Sequence, residues 1–250
     1  MTQTLNKPAK AILFDKDGTL FDFQKTWAPW AAAMIADLAR GEKAVLAKAG
    51  QAVPQDLDRQ IAHTVGFDLD NGAFQADSLA VAGTAYEVAQ ALSQVITGLS
   101  DSEVLDYLMP SKMSMTPVVV PQLKQALEGL KQAGFRLGVV TNDFEHVARE
   151  HLEQVNISEL FEVVIGCDSG HGAKPAPEGC LAAAAHLAVP APDTYMVGDS
   201  LHDLEAAQRA GMRPIGVLTG TASRDDLAHL AAHVFADVAD FVRFLTKSPL

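Results

Sequence analysis

Asp15 and Asp17 stand at the end of an apolar run, Ala11 to Phe14, with one residue between them. If the strand that such a run forms continued, both carboxylates would point to the same face. Held that close they repel, unless a cation or a shared proton relieves them. Gly18 allows a backbone turn that other residues resist, and Thr19 adds a hydroxyl and an N–H beside the carboxylates. A surface hairpin with an Asp-Gly turn is the plain alternative. The fully apolar flank argues against it, because it suits a buried parallel strand rather than a half-wet hairpin.

Other polar groups follow apolar runs in the same way. Thr141-Asn142 comes directly after Leu137-Gly138-Val139-Val140 and before a helical stretch. It reads either as a helix cap or as an anion contact made by a hydroxyl and helix-start N–H groups. Lys174 precedes Pro175, which restricts the backbone before it. It is either a solvated loop lysine or a contact for an anion. Asp199 follows the apolar run 194–197, and Asp203 lies one helical turn further on. Acidic residues in a helix's first turn suit its macrodipole without any ligand. Yet Asp199 would be a third carboxylate at the edge that carries Asp15 and Asp17. Three such carboxylates favour a divalent cation, and a few hard oxygen ligands suit Mg²⁺ completed by water and a substrate phosphate.

These groups need elements that bring them together. From residue 117 onward apolar strand-like runs alternate with helical stretches, the pattern of a parallel sheet with right-handed crossovers and helices on both faces. The fold class expected is therefore α/β, a doubly wound, Rossmann-like parallel sheet. In such sheets the ligand site lies beyond the carboxyl ends of the strands. Asp15, Thr141, Lys174 and Asp199 all sit just there in the pattern. Residues 21–116 differ: helical stretches at 27–38, 43–49, 55–65, 78–95 and 102–108, and no strand before Val118. The expected domains are a core of residues 1–20 and 117–250 and an inserted helical cap of residues 21–116. Linkers are expected near 21–24 and 111–117.

The chain has 250 residues, 48% hydrophobic and 20% charged, with a formal net charge of −12. That balance argues for a globular fold and against a nucleic-acid groove. An anionic substrate would need local positive charge to overcome the global field. Cys167 and Cys180 make no disulfide framework. No apolar stretch reaches membrane length, and the run after Lys7 and Lys10 is too brief for a signal-peptide core. The expectation is a soluble, cytoplasmic chain without a nucleic-acid or membrane partner.

The four motifs in order, Asp15-Lys16-Asp17-Gly18-Thr19, Thr141-Asn142, Lys174-Pro175 and Gly198-Asp199-Ser200-Leu201-His202-Asp203, resemble those of the haloacid dehalogenase-like hydrolase superfamily. The helical insertion is similar to the small cap of its phosphoglycolate phosphatase-like branch. The resemblance implies Asp15 as a nucleophile that becomes an aspartyl-phosphate. It implies Asp17 as acid for the leaving oxygen, then base for the hydrolytic water. Gly18, Thr141, Asn142 and Lys174 would hold the phosphoryl group. Asp15, Asp199 and the backbone carbonyl of Asp17 would bind Mg²⁺, with Asp203 orienting the lysine or a ligand water. Asp17 sets the chain apart from the dehalogenases, which lack a carboxylate there. Lys16 occupies a position where apolar residues are frequent and is expected to point away from the nucleophile with no part in the mechanism.

The reaction implied is Mg²⁺-dependent hydrolysis of a small organic phosphate monoester, phosphoglycolate first among them. A sugar-phosphate mutase of the same fold is the enzymatic alternative. Residues 60–111 hold no Lys or Arg, which weakens any reading that needs a second phosphate gripped there. A non-enzymatic phospho-receiver or binding relative is the other alternative. Receivers are much shorter, lack the insertion and do not need Asp17.

Overall fold

The structure, a computed structural model, describes residues 10–75, 78–109 and 116–247. The chain divides into two compact units, Met1–Phe23 with Pro117–Leu250, and Gln24–Thr116. It opens with β1 (Ala11–Phe14), every residue of which is buried. The inserted segment then runs through α1 (Phe23–Lys48), α2 (Leu57–Val65), β2 (Phe67–Asp68), β3 (Ala73–Phe74), α3 (Leu79–Ala82), α4 (Ala85–Leu92) and α5 (Asp101–Leu108). After it come α6 (Leu123–Gln132), β4 (Arg136–Val140), α7 (Glu145–Gln154), β5 (Val163–Ile165) and α8 (Glu178–His186). The chain closes with β6 (Thr194–Gly198), α9 (Leu201–Arg209), β7 (Arg213–Val217), α10 (Arg224–Ala228), β8 (His233–Phe235) and α11 (Val238–Lys247).

The six long-range strands form one parallel sheet in the order β5-β4-β1-β6-β7-β8. The doubly wound, Rossmann-like architecture expected from the alternating pattern is the one observed. The chain leaves β1 toward β4 and β5, then returns to its other side for β6, β7 and β8. That reversal opens a crevice at the carboxyl ends of the central strands. Register fixes what lines the crevice. Phe14 pairs with Val139 and with Val197, so Asp15, Thr141 and Asp199 emerge at nearly the same level.

Alternation along β1 sorts its side chains between two cores. Ile12 and Phe14 pack with Val139, Val197 and residues of α6, α7 and α11, including Leu127, Leu152 and Phe241. Ala11 and Leu13 pack with Cys180 and Ala183 of α8 and with Ala206 and Ala207 of α9. Burial of each large apolar side chain contributes about 1.5–3 kcal/mol, and the near-absence of polar positions in β1 follows from burial on both faces.

The inserted unit departs from the sequence expectation in three ways. The stretches expected at 27–38 and 43–49 merge into a single helix, α1, which ends at Lys48, because its Ala-rich sequence outweighs the cost of about 1 kcal/mol at Gly41. The expected helix over 78–95 is two helices, parted at Gly83 and restarted by Thr84, whose side chain and Glu87 form a capping box. Strand is also present before Val118. Gly66 ends α2 with a left-handed cap, and β2 and β3 pair as a short antiparallel ribbon around a turn at Gly72. Of the linker expected at 111–117, residues 111–115 lie outside the described residues.

Candidate active site

Asp15 follows β1 directly, and its N–H donates to the carbonyl of Val197 at 2.8 Å, extending the pairing with β6 by one residue. Its carboxylate is buried and meets the ammonium of Lys174, with Nζ to Oδ1 at 2.5 Å. The same ammonium donates to Asp203 Oδ1 at 2.6 Å. Lys174 is therefore no solvated loop residue; it is a buried cation between two carboxylates. Burial disfavours its charge, yet Asp15 and Asp203 outweigh that and hold it protonated well above the usual lysine range. Burial pushes the Asp15 carboxyl up to about 7, with Lys174 opposing the rise and Asp203 adding to it.

Ser200, not Asp199, caps α9. The Ser200 hydroxyl accepts from Asp203 N–H, while Asp203 Oδ2 accepts from the Ser200 N–H and hydroxyl at 3.0 and 2.7 Å. Both oxygens of Asp203 are thus engaged, one by the cap and one by Lys174, so this carboxylate is a fixture that aims the lysine. Asp199 is released from capping and is buried. Burial drives its carboxyl well above the usual range, with Asp15 and Asp203 adding to the effect.

Asp199 Oδ1 accepts from the Thr19 hydroxyl at 3.1 Å. Two glycines enclose the same carboxylate. A Cβ on Gly18 would come within 2.6 Å of Asp199 Oδ1, and a Cβ on Gly220 within 2.7 Å of Asp199 Cβ and closer still to its Cγ and Oδ2. Gly18 also adopts φ 82°, a conformation that glycine alone takes readily. Thr219, beside Gly220, donates its hydroxyl to the Gly18 carbonyl at 2.6 Å, tying the loop after β7 to the loop after β1. Nothing in the sequence flagged Thr219 and Gly220 beyond their place at a strand end.

Asp15, Asp199 and Asp203 offer oxygens that all lie within 4.8 Å of one another. With Lys174 as their ammonium partner, full ionisation leaves a formal −2 in a buried space. A divalent cation is the group that fits this donor set: hard oxygens and net negative charge in a buried space.

Thr141 does not cap α7, whose N-cap is Phe144. It is buried, its N–H donates to Ile165 O, and its hydroxyl accepts from Asp143 N–H at 3.1 Å. Its own hydroxyl proton is not spent in that bond. The Asn142 side chain brackets the Lys174 backbone, donating to its carbonyl at 2.9 Å and accepting from its N–H at 2.8 Å. Asn142 therefore holds the lysine loop in place, a function its sequence position did not suggest.

Asp17 is the sequence-selected residue whose carboxylate lies apart from this cluster. β1 ends at Phe14, so Asp15 and Asp17 do not share a face through strand alternation. The Asp17 Oδ2 atom pairs with Lys16 Nζ at 2.5 Å. Asp17 remains near enough to add a small upward push to the Asp15 carboxyl. Lys16, expected to be a bystander, is fully buried. Its ammonium reaches the turn before α7, where Asp143 Oδ2 lies at 3.0 Å, and α7 itself, where His151 Nδ1 lies at 3.1 Å.

A family model described as haloacid dehalogenase-like hydrolase matches residues 9–211. A phosphoglycolate phosphatase of Aliivibrio fischeri is 32% identical over 220 residues, covering 84% of this chain and 85% of that protein. One from Vibrio parahaemolyticus is 33% identical over 221 residues, covering 84% of each chain. Among solved structures, a HAD phosphatase from Thermococcus onnurineus superposes with a TM-score of 0.62 at 23% identity, covering 96% of this chain and 100% of that one. The chain belongs to the haloacid dehalogenase-like hydrolase family. It is an enzyme, and a hydrolase.

Proposed function

We propose that the protein is a Mg²⁺-dependent phosphatase that hydrolyses a small organic phosphate monoester through an aspartyl-phosphate on Asp15. The observation that carries this reading is the buried Asp15 carboxylate, held by Lys174 beside Asp199 and Asp203. Phosphoryl transfer asks chiefly for positioning and charge neutralisation, and both are built into these contacts. Asp15 and Asp199, with the Asp17 carbonyl, would hold Mg²⁺, which when bound supplies positive charge to the phosphoryl oxygens.

Lys174 and Asp203 keep one Asp15 oxygen anchored while the carboxylate attacks phosphorus and the ester P–O bond breaks. Asp17 gives its proton to the departing ester oxygen. It then takes a proton from the water that attacks the same phosphorus, so inorganic phosphate leaves and Asp15 is restored. Thr141 and the N–H of Asn142 hold the phosphoryl oxygens, while the Gly18 N–H is spent on the Phe21 carbonyl at 2.7 Å and Gly18 serves by the turn it allows. Orthophosphate and a dephosphorylated alcohol are the products.

The unit formed by residues 21–116 acts as the cap that selects the alcohol portion, and residues 1–20 with 117–250 act as the catalytic core. Phosphoglycolate is the first substrate to test: its phosphatases supply the relatives above, and residues 60–111 offer no cation for a second phosphate. Among the described residues no helix is long and apolar enough to cross a membrane.

The test is phosphate release by pure protein over a panel of small phosphate esters, with and without Mg²⁺. Mg²⁺-dependent release, strongest with phosphoglycolate and lost in Asp15→Asn, is expected. Isomerised sugar phosphate in place of free phosphate would indicate a mutase. No turnover of any ester, with Asp15→Asn indistinguishable from wild type, would overturn the reading.

A further inference from the structure

The buried ammonium of Lys16 has no part in the mechanism just described, yet it is among the most enclosed charges of the chain. An ammonium carries three N–H donors, and three acceptor atoms lie within 3.1 Å of Lys16 Nζ: Asp17 Oδ2, Asp143 Oδ2 and His151 Nδ1. They come from separate places. Asp17 belongs to the loop after β1, Asp143 to the turn that follows Thr141-Asn142, and His151 to the body of α7. The Phe21 ring closes the site further, with Nζ over its face 5.9 Å from the centroid.

Burial of a lysine at this place is expensive unless its charge is matched and its donors are met. An apolar residue of similar length would pack against Phe21 and α7 without that cost. What it could not do is grip Asp17. The contact at 2.5 Å fixes one oxygen of a carboxylate whose side chain is otherwise 15% exposed and sits on a glycine-hinged turn. Asp143 Oδ2, 3.0 Å from the same ammonium, leans on the same charge. Lys16 therefore ties the loop bearing Asp17 to the turn bearing Thr141.

The geometry points to Lys16 as a positioning residue that sets where the Asp17 carboxylate stands, and so how it serves as acid to the leaving oxygen. This role rests on the assignment of Asp17 as acid and base under the proposed function. It differs from a packing role in one respect: its loss must fall most heavily on substrates that need the acid. An alkyl phosphate has a poor leaving group and needs protonation, whereas p-nitrophenyl phosphate departs without it. The value of kcat/KM isolates the steps through phosphoryl transfer to Asp15, before Asp17 serves as base.

The experiment compares kcat/KM for phosphoglycolate, or the best alkyl ester found, with that for p-nitrophenyl phosphate. In Lys16→Met the alkyl ester should lose about 10²-fold, the cost of misplacing a catalytic group by about 1 Å. The aryl ester should lose less than about tenfold, because acid assistance accounts for most of the difference. Adding Lys16→Met to Asp17→Asn should cost no more than about twofold on either ester, since the residue acts through Asp17. Should Lys16→Met fail to fold, the pair Lys16→Met with Asp143→Asn restores the cluster's formal charge and is expected to give the same unequal losses. Equal losses on the two esters, or a full extra loss in the Asp17→Asn background, would overturn the role of Lys16 alone. No turnover of either ester by the wild-type protein would overturn the functional reading and this role with it.

Discussion

Replacing Gly220 by alanine adds a single carbon to the structure, and its consequences can be worked from the positions of the atoms around it. The new Cβ would lie 2.7 Å from Asp199 Cβ and closer to the carboxylate, whereas real contacts of this kind do not fall below 3.0 Å. Gly220 is not held at positive φ, so the change is purely steric. The Asp199 side chain or the loop must retreat by about 1 Å, a displacement that costs a stability of about 1–3 kcal/mol and about 10²-fold in activity. Gly18→Ala meets the same carboxylate and adds a left-handed backbone cost of about 1–2 kcal/mol. Gly129 provides the contrast: it lies inside α6 with nothing within 4 Å of a new Cβ, so Gly129→Ala should stabilise by about 0.5–1 kcal/mol. The assays are urea unfolding and phosphate release titrated with Mg²⁺. Gly220→Ala should lower kcat and require more Mg²⁺ for half-maximal rate, while Gly129→Ala leaves both unchanged. A Gly220→Ala enzyme with wild-type kcat and wild-type Mg²⁺ dependence would refute the placement of Asp199 at a tightly built cation site.

Further outcomes follow from the charges. Lys174→Met strips the cation from between two buried carboxylates and should destabilise by about 3–5 kcal/mol at pH 8, measured by chemical unfolding. That loss should shrink as pH falls and the carboxyls take up protons, and turnover should drop by at least about 10²-fold. The Asp15 and Asp199 carboxyls are raised by burial, so the stability they contribute is present below the ordinary carboxylate range and is lost as pH rises, for Asp15 through about 7. Mg²⁺ should therefore raise Tm more at pH 8 than at pH 5; an equal shift would argue against these carboxylates as its ligands. Burial, with Lys16 alongside, lowers the His151 pKa to about 4. The stability owed to its neutral form is present above the unfolded value near 6.5 and disappears as pH falls through about 4, a change of about 3 kcal/mol. His151→Gln keeps an acceptor but does not titrate, and it should flatten that acid limb in urea-unfolding measurements.

The strand-end positions were the most legible part of this chain. Asp15, Thr141, Lys174 and Asp199 each follow a short apolar run, and a parallel sheet brings such positions to one edge whatever the sequence between them. The pairing of Asp15 with Lys174 across 159 residues needs only that rule and opposite charge. Harder to read were contacts that depend on how a loop turns after its strand. Asp17 looked like a partner of Asp15 on one face, but β1 stops at Phe14 and the Gly18 turn brings the carboxylate to Lys16. Lys16 stands where apolar residues are frequent in the resembled family and reads as neutral to the mechanism, and its partners Asp143 and His151 lie more than 120 residues away, beyond any local pattern. Asn142 reads as a phosphate contact or a cap through its backbone N–H, and its side-chain amide in addition brackets Lys174, a pairing that no local pattern encodes. In the inserted unit, Ala-rich helices offer little periodic contrast, so the break at Gly83 and the ribbon of β2 and β3 were hidden among good helix formers.

The claim on which the rest depends is that Asp15 carries the phosphoryl group. Protein quenched in acid during turnover of a phosphate ester with Mg²⁺, then digested and weighed peptide by peptide, tests it directly. The peptide holding Asp15 should gain one phosphoryl group, and the gain should vanish in Asp15→Asn and when Mg²⁺ is withheld. A phosphoryl group found on another residue, or phosphate release by Asp15→Asn at the wild-type rate, would contradict it.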